Sequence, residues 1–172
     1  GPQKGVTEDL RAELDQALGS YAEVTKKCLG TDFAERPGAG AAGGLGFAFL
    51  SYLHADLQPG IGLVMDAVEM EKTMEGAELV FTGEGCLDHQ TAMGKAPVGV
   101  AKLAKKYGAK VIALAGAVVD GAEKCNENGI DAYFPIIRKI VTLDEAMDAG
   151  NARQNMVSTA EHVRDKLKEE QV

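Results

Sequence analysis

The sequence predicts an α/β fold: a parallel, Rossmann-like sheet with helices on both faces, joined to part of a second α/β lobe. Three observations carry that prediction. Short β-rich runs at 78–82, 110–115 and 131–136 alternate with segments of helical periodicity, the order that right-handed parallel crossovers produce. The run from Lys110 to Ala115 is continuous rather than alternating, as in a strand buried on both faces. Aromatic residues make up only 5% of the chain and none is Trp, while Gly numbers 21; the core must therefore be aliphatic, Ala-rich and close-packed, as helices lying on a sheet require.

Taken in order, Thr7 is placed to cap a helix whose first turn carries Glu8 and Asp9, both favourable at the positive end of the helix dipole. Leu10, Leu14, Leu18 and Tyr21, then Thr25 or Cys28, give that helix one apolar stripe, and Gly30 stops it. It is expected to be a wall without a functional role. Gly38 to Gly46 holds five glycines in nine residues and precedes the apolar segment Phe47 to Leu53. Such a stretch is either a backbone-lined anion cradle at a helix N-terminus or a set of small residues that lets helices pack closely.

Gln58-Pro59-Gly60 reads as a turn and a boundary, dividing the chain into 1–58, part of a second lobe, and 59–172, the Rossmann-like domain. Ile61, Val64, Met65, Val68 and Met74 then mark a core-facing helix that Gly76 ends. After the strand at 78–82 and a loop, Pro97 opens a helix near 97–107 that turns Val98, Val100, Ala101, Leu103 and Ala104 inward, with Gly108 as its stop. The strand at 110–115 ends at Gly116. A short helix near 121–128, closed by Asn128-Gly129, leads to the strand at 131–136. Thr142 with Glu145 three residues on forms a capping box, and Asn151 to Lys168 forms the last helix before an acidic tail.

Composition excludes several partners. The net charge is -8, from 26 acids against 18 bases, which repels a polyanionic backbone, so nucleic acid is not expected. Cys28, Cys86 and Cys125 are odd in number and contain no C-x-x-C pair, the pattern of reduced thiols in a cytosol. No metal site is expected from them and the scattered His54, His89 and His162. The first residues are polar, and the longest apolar run, Val111 to Val119, falls short of the ~18 residues that suggest a membrane span. A soluble, cytoplasmic protein without a membrane partner follows.

The chemistry is expected between Thr82 and Lys95, at the carboxyl end of the 78–82 strand, where open α/β sheets bind ligands. Two carboxylates, Glu84 and Asp88, stand four residues apart among the glycines Gly83 and Gly85; the uncharged Gln90 and Thr91 follow, and then Gly94-Lys95. Acids for a metal ion or a hydroxyl proton, flexible amides for phosphate oxygens and one ammonium are the parts phosphoryl transfer needs. The same residues also fit a blander description: two solvated loop acids, a helix cap at Gln90 and Thr91, and a surface lysine. Gly83-x-Gly85 lacks the third glycine of a dinucleotide fingerprint, and Gly94-Lys95 lacks the spacing of a P-loop.

Thr-Gly-Glu-Gly-x-Leu-Asp-x-Gln-Thr-x-x-Gly-Lys-x-Pro at 82–97 resembles the signature of the bacterial glycerate kinase family, as do Gly1-Pro2-Gln3-Lys4-Gly5 and the Pro37 to Gly46 segment. The resemblance implies phosphorylation of D-glycerate to 2-phosphoglycerate with ATP and Mg2+. It implies Asp88, Glu84 and Lys95 as catalytic residues, with the two acids as metal ligands. It implies Gly83, Gly85, Gln90, Thr91, Gly94, Gly40, Gly43 and Gly44 as substrate or phosphate contacts, which turns the glycine-rich segment toward an active cleft. Cys86 and His89 depart from the pattern, standing where the family usually has Arg and a small residue. The resemblance also implies that this chain is a C-terminal portion, inactive alone, whose partner is the N-terminal half of the same protein. A non-catalytic module for a small phosphorylated ligand, a subunit completed by a separately encoded partner, and a homo-oligomer are the alternatives.

Overall fold

A computed structural model describes residues 5–169. Residues 1–4 of the Gly1 to Gly5 motif and the tail at 170–172 lie outside the described residues. The chain divides into two compact units, Gly1–Pro59 and Gly60–Val172.

In the first unit, α1 (Glu8–Leu29) ends at Gly30, whose left-handed φ of 71° lets its N–H reach back to Lys26 O. Thr7 has the extended backbone of a cap but makes no side-chain capping bond. The second helical segment, α2 (Ala41–Leu53), is interrupted near its start by three successive left-handed residues, Ala42, Gly43 and Gly44. The two helices meet through Tyr21, whose ring stands edge-on to Phe47 at 5.4 Å, and through a 2.9 Å hydrogen bond between Thr25 and Tyr52. Phe47, Leu50 and Ala39 make a small core. The stripe Leu10, Leu14, Leu18 and Tyr21 is only partly covered, each residue remaining 37–45% exposed.

The second unit is built on a three-stranded parallel sheet in the order β1 (Leu79–Leu87), β2 (Lys110–Val118), β3 (Ala132–Pro135). Short helices α3 (Gly60–Ala67) and α4 (Met70–Met74) lead into it. The single helix expected over 61–74 is broken at Glu69, which takes a left-handed φ of 50°. Met74 is buried, and Met65 packs on the core, but Val64 and Val68 stay exposed. After β1 come α5 (His89–Ala92) and α6 (Ala96–Lys106); α7 (Lys124–Glu127), α8 (Leu143–Met147) and α9 (Ala149–Glu169) complete the unit. The capping box at Thr142 and Glu145 forms as expected, both hydrogen bonds present.

Two layers of helix flank the sheet. Val98, Ala101 and Ala104 of α6 are buried against Val80, Val111 and Ala113, residues that share one face because strand side chains alternate. On the opposite face α9 lies along β2 and β3, its His162 edge-on to Phe134 and its Val163 buried. Lys105 and Asp131 clamp the amino ends of the strands: Asp131 accepts from Lys105 Nζ at 2.5 Å and from the Val111 amide at 2.6 Å.

Both β1 and β2 run further than the sequence runs that announced them. The register continues through Glu84↔Ala115 to Leu87↔Val118, so Gly83 and Gly85 belong to a strand and not to a turn. Neighbours explain two of the glycines on these strands, Gly83 and Gly116, while a Cβ on Gly85 would meet open space. A Cβ on Gly83 would lie 2.0 Å from Leu114 O, and one on Gly116 would lie 2.5 Å from Gly85 O. These residues are glycine because two backbones approach where no side chain fits.

Candidate active site

The acidic cluster forms where β1 ends. Glu84 is on β1 and Asp88 is the residue just past it, serving as the N-cap of α5 with extended φ and ψ of -144° and -176°. Its Oδ1 accepts the amides of Gln90 and Thr91, each at 2.9 Å. Thr91 completes a capping box by accepting the Asp88 amide on its own hydroxyl at 3.1 Å. The hydroxyl proton of Thr91 then goes to Glu84 Oε1, the nearer of the two carboxylates it touches; Asp88 Oδ1 is at 3.2 Å. One fully buried threonine thus fixes both acids.

Lys95 caps the start of α6 and brings its ammonium to 3.6 Å from Asp88 Oδ1, with 42% of the lysine side chain and 19% of the aspartate side chain exposed. The Thr91 amide is the leading cause that holds the Asp88 carboxyl below its ordinary range; the Lys95 charge, the Thr91 hydroxyl and the Gln90 amide add to it against the opposing effect of burial. Behind the acids lies Cys125, fully buried, its thiol pushed up by burial and then by the charges of Glu84, Asp88 and Glu123. A thiol so raised is a poor nucleophile.

Gln90, Gly94 and Lys95 line an open depression of about 480 Å³ with His89 and Met93. Gly94 has φ 109° and only open space where a Cβ would stand. Among the described residues no group of three or more His, Cys, Asp or Glu could hold a metal, so an all-protein cage is absent there. Two carboxylates with free outer oxygens nevertheless suit Mg2+, which is commonly held by one or two carboxylates, water and substrate phosphates.

The glycine-rich candidates of the first unit sort by environment. A Cβ on Gly46 would meet Gly38 O at 2.2 Å, so this residue lets two backbones pack closely, whereas one on Gly44 would meet only the end of the Leu18 side chain at 2.7 Å, and Gly44 takes a left-handed φ of 91°. Gly40 and Gly43 face open space and line a groove of about 890 Å³ along α1 with Leu14, Leu18 and Tyr21.

One neighbour of the motif was not legible beforehand. Gly121, in the turn after β2, has φ 91° and sits so close to His89 that a Cβ would lie 2.8 Å from the histidine Cβ. The Asp120-Gly121 pair is a turn signal in the sequence, but only the fold shows what it abuts.

A model of the glycerate kinase family matches residues 1–168. The chain belongs to the glycerate kinase family. Among members of that family it is 44% identical over 168 residues to the glycerate kinase of Bacillus subtilis (strain 168), covering 98% of this chain and 44% of that one. It is 48% identical over 146 residues to the glycerate 2-kinase of Escherichia coli (strain K12), covering 85% of this chain and 38% of that one. A crystal structure from Salmonella typhimurium LT2, described as a glycerate kinase 2, superposes with a TM-score of 0.68 at 42% identity, over 99% of this chain and 43% of that one. This glycerate kinase family chain therefore spans about two fifths of the length of these relatives. No helix among its described residues is long and apolar enough to cross a membrane.

Proposed function

We propose that this chain is part of a cytoplasmic kinase that transfers the γ-phosphoryl group of ATP to the 2-hydroxyl of D-glycerate. The observation that carries the reading is the cluster of Glu84, Thr91, Asp88 and Lys95 at the carboxyl end of β1, in a chain whose relatives are named glycerate kinases. The E. coli relative, named a glycerate 2-kinase, supports 2-phosphoglycerate as the product.

In this transfer the glycerate oxygen bonds to phosphorus as the bond from phosphorus to the ADP oxygen breaks, and the hydroxyl proton leaves to a base. Positioning and charge do most of the work. Lys95 offers a cation to phosphate or carboxylate oxygens. Asp88 is held ionised by its amide bonds and by Lys95, which favours a charge-holding role over that of a general base, whose pKa should approach the working pH. Mg2+ gripped by Glu84 and Asp88 would neutralise charge on the transferring group. Thr91 does not reach substrate in this reading; it positions the acids.

Donor and acceptor must be gripped together, and the chain spans about two fifths of its relatives' length, so it is proposed to be silent alone. Glycerate-dependent ADP release, measured for this chain alone and then with the remaining portion of the B. subtilis relative added, tests the reading. Release only in the mixture, with phosphorus NMR placing the phosphate on C2, is expected. Release by the chain alone that Asp88→Asn abolishes would overturn its silence. A mixture that associates but releases no ADP would leave the non-catalytic ligand-binding module as the better description.

A further inference from the structure

We propose that the turn after β2 is a positioning device for Asp88, and that Gly121 is the residue that makes it fit. The turn touches the motif on both sides of that aspartate. On one side the Val119 amide donates to Leu87 O at 3.1 Å, and Leu87 is completely buried. On the other side Gly121 lies against His89: a Cβ there would stand 2.8 Å from His89 Cβ, 3.1 Å from its amide nitrogen and 3.2 Å from its Cα. Asp88 is the residue between those two contacts.

Neither partner is free to retreat. The turn is closed internally by Gly121 N–H donating to Glu123 Oε2 at 2.9 Å and by the Ala122 amide donating to Val119 O at 3.2 Å. The His89 backbone is the first step of the turn whose next two amides, Gln90 and Thr91, are held by Asp88 Oδ1. A side chain at 121 would press on that backbone and not on a flexible tip, and the displacement would pass to the aspartate cap and through Thr91 to Glu84. The left-handed φ of 91° at Gly121 is a second demand for glycine. Two independent constraints therefore converge on one residue, far along the chain from the acids it steadies.

The inference rests on the acidic pair being the working part of the site, but its test reads backbone order and needs no turnover, so its failure would leave the kinase reading standing. Amide hydrogen exchange is followed by NMR in this chain and in Gly121→Ala, with Gly108→Ala as control. Gly108 has a left-handed φ of 75° and open space around the position of a Cβ, so its variant carries the backbone strain without the contact. In Gly121→Ala the Gln90 and Thr91 amides are expected to exchange about tenfold faster relative to the amide of Ala113, which lies inside β2 between its two partner strands and reports on the sheet. In Gly108→Ala all three should shift together. Adding His89→Gly to Gly121→Ala removes the 2.8 Å contact, leaving those to the residue 89 amide nitrogen and Cα, and should restore part of the protection, or restore folding if the single variant does not fold. Unchanged Gln90 and Thr91 exchange in Gly121→Ala, equal acceleration in the control, or a double variant no better than the single one would overturn the proposal.

Discussion

Thr91 lies seven residues beyond Glu84 and donates its hydroxyl proton to that carboxylate while accepting the Asp88 amide at 3.1 Å. One buried oxygen therefore sets the spacing of the two acids. Thr91→Val keeps the shape and removes both bonds, leaving a carboxylate oxygen and an amide without their partner. Unpaired buried polar groups cost about 1–3 kcal/mol, so a loss in that range is expected from urea unfolding. Thr91→Ser, which retains the hydroxyl, should lose less. A valine variant as stable as the parent would remove the bridge from the account of the site.

Asp88→Asn separates fold from chemistry. Asparagine caps helices about as well as aspartate, so the midpoint of unfolding should move little. The charge is lost, however, and with it the contact to Lys95 and any hold on a cation. In the enzyme reconstituted with the remainder of a relative, turnover should fall at least ~100-fold, the low end for loss of a preorganised group that stabilises transition-state charge. Near-normal turnover would take Asp88 out of the mechanism.

The sequence exposed what is local and missed what is made by contact. The three strands, their parallel order, the start of α6 at Pro97 and the capping box at Thr142 follow from short-range residue chemistry, and each is present. The length of β1 was hidden because Gly83 and Gly85 read as turn formers, whereas the first is glycine to let Leu114 O come near. The break at Glu69 was hidden because a left-handed glutamate carries no pattern. At the site, Glu84, Asp88 and Lys95 were legible as charges set among glycines. The burial of Thr91 was not, since it depends on α5 folding back beside Glu84, and Gly121 meets His89 only through the pairing of β2 with β1.

Acid should loosen the second unit in a way that names its carboxylates. Asp88 is held below the ordinary aspartate range as described. For Asp131, burial pushes the pKa up, but the Lys105 hydrogen bond and the Val111 amide outweigh it and the net direction is down. A carboxyl lower in the folded than in the unfolded state contributes stability that is fully present above the unfolded value, about 3.9, and is lost as pH falls through the folded value. Urea midpoints should therefore hold near neutrality and decline below about pH 4. Asp131→Asn should be less stable at neutral pH and decline less in acid. Parallel pH curves for the two proteins would show that Asp131 contributes nothing through its charge.

The free edge of β1 should govern association. Among the described residues β1 pairs with β2 alone, so one side of a nine-residue strand presents unbonded backbone groups, a template for another strand. Beside that edge Phe81 is 52% exposed and lines a groove of about 280 Å³ with Leu79, Ala160 and Leu167. Apolar surface next to open backbone favours either self-pairing or capture of a strand from the portion of the relatives that this chain does not span. A lysine on an edge strand opposes both, because its charge would be desolvated on pairing. Phe81→Lys is expected to reduce concentration-dependent association in sedimentation experiments and to weaken recovery of activity by the remaining portion of a relative. It should leave the urea midpoint of the isolated chain nearly unchanged, since the ring is already half in water. Association that is equally strong in the lysine variant would place the contact on another surface, of which the exposed stripe of α1 at Leu10 and Leu14 is the next to test.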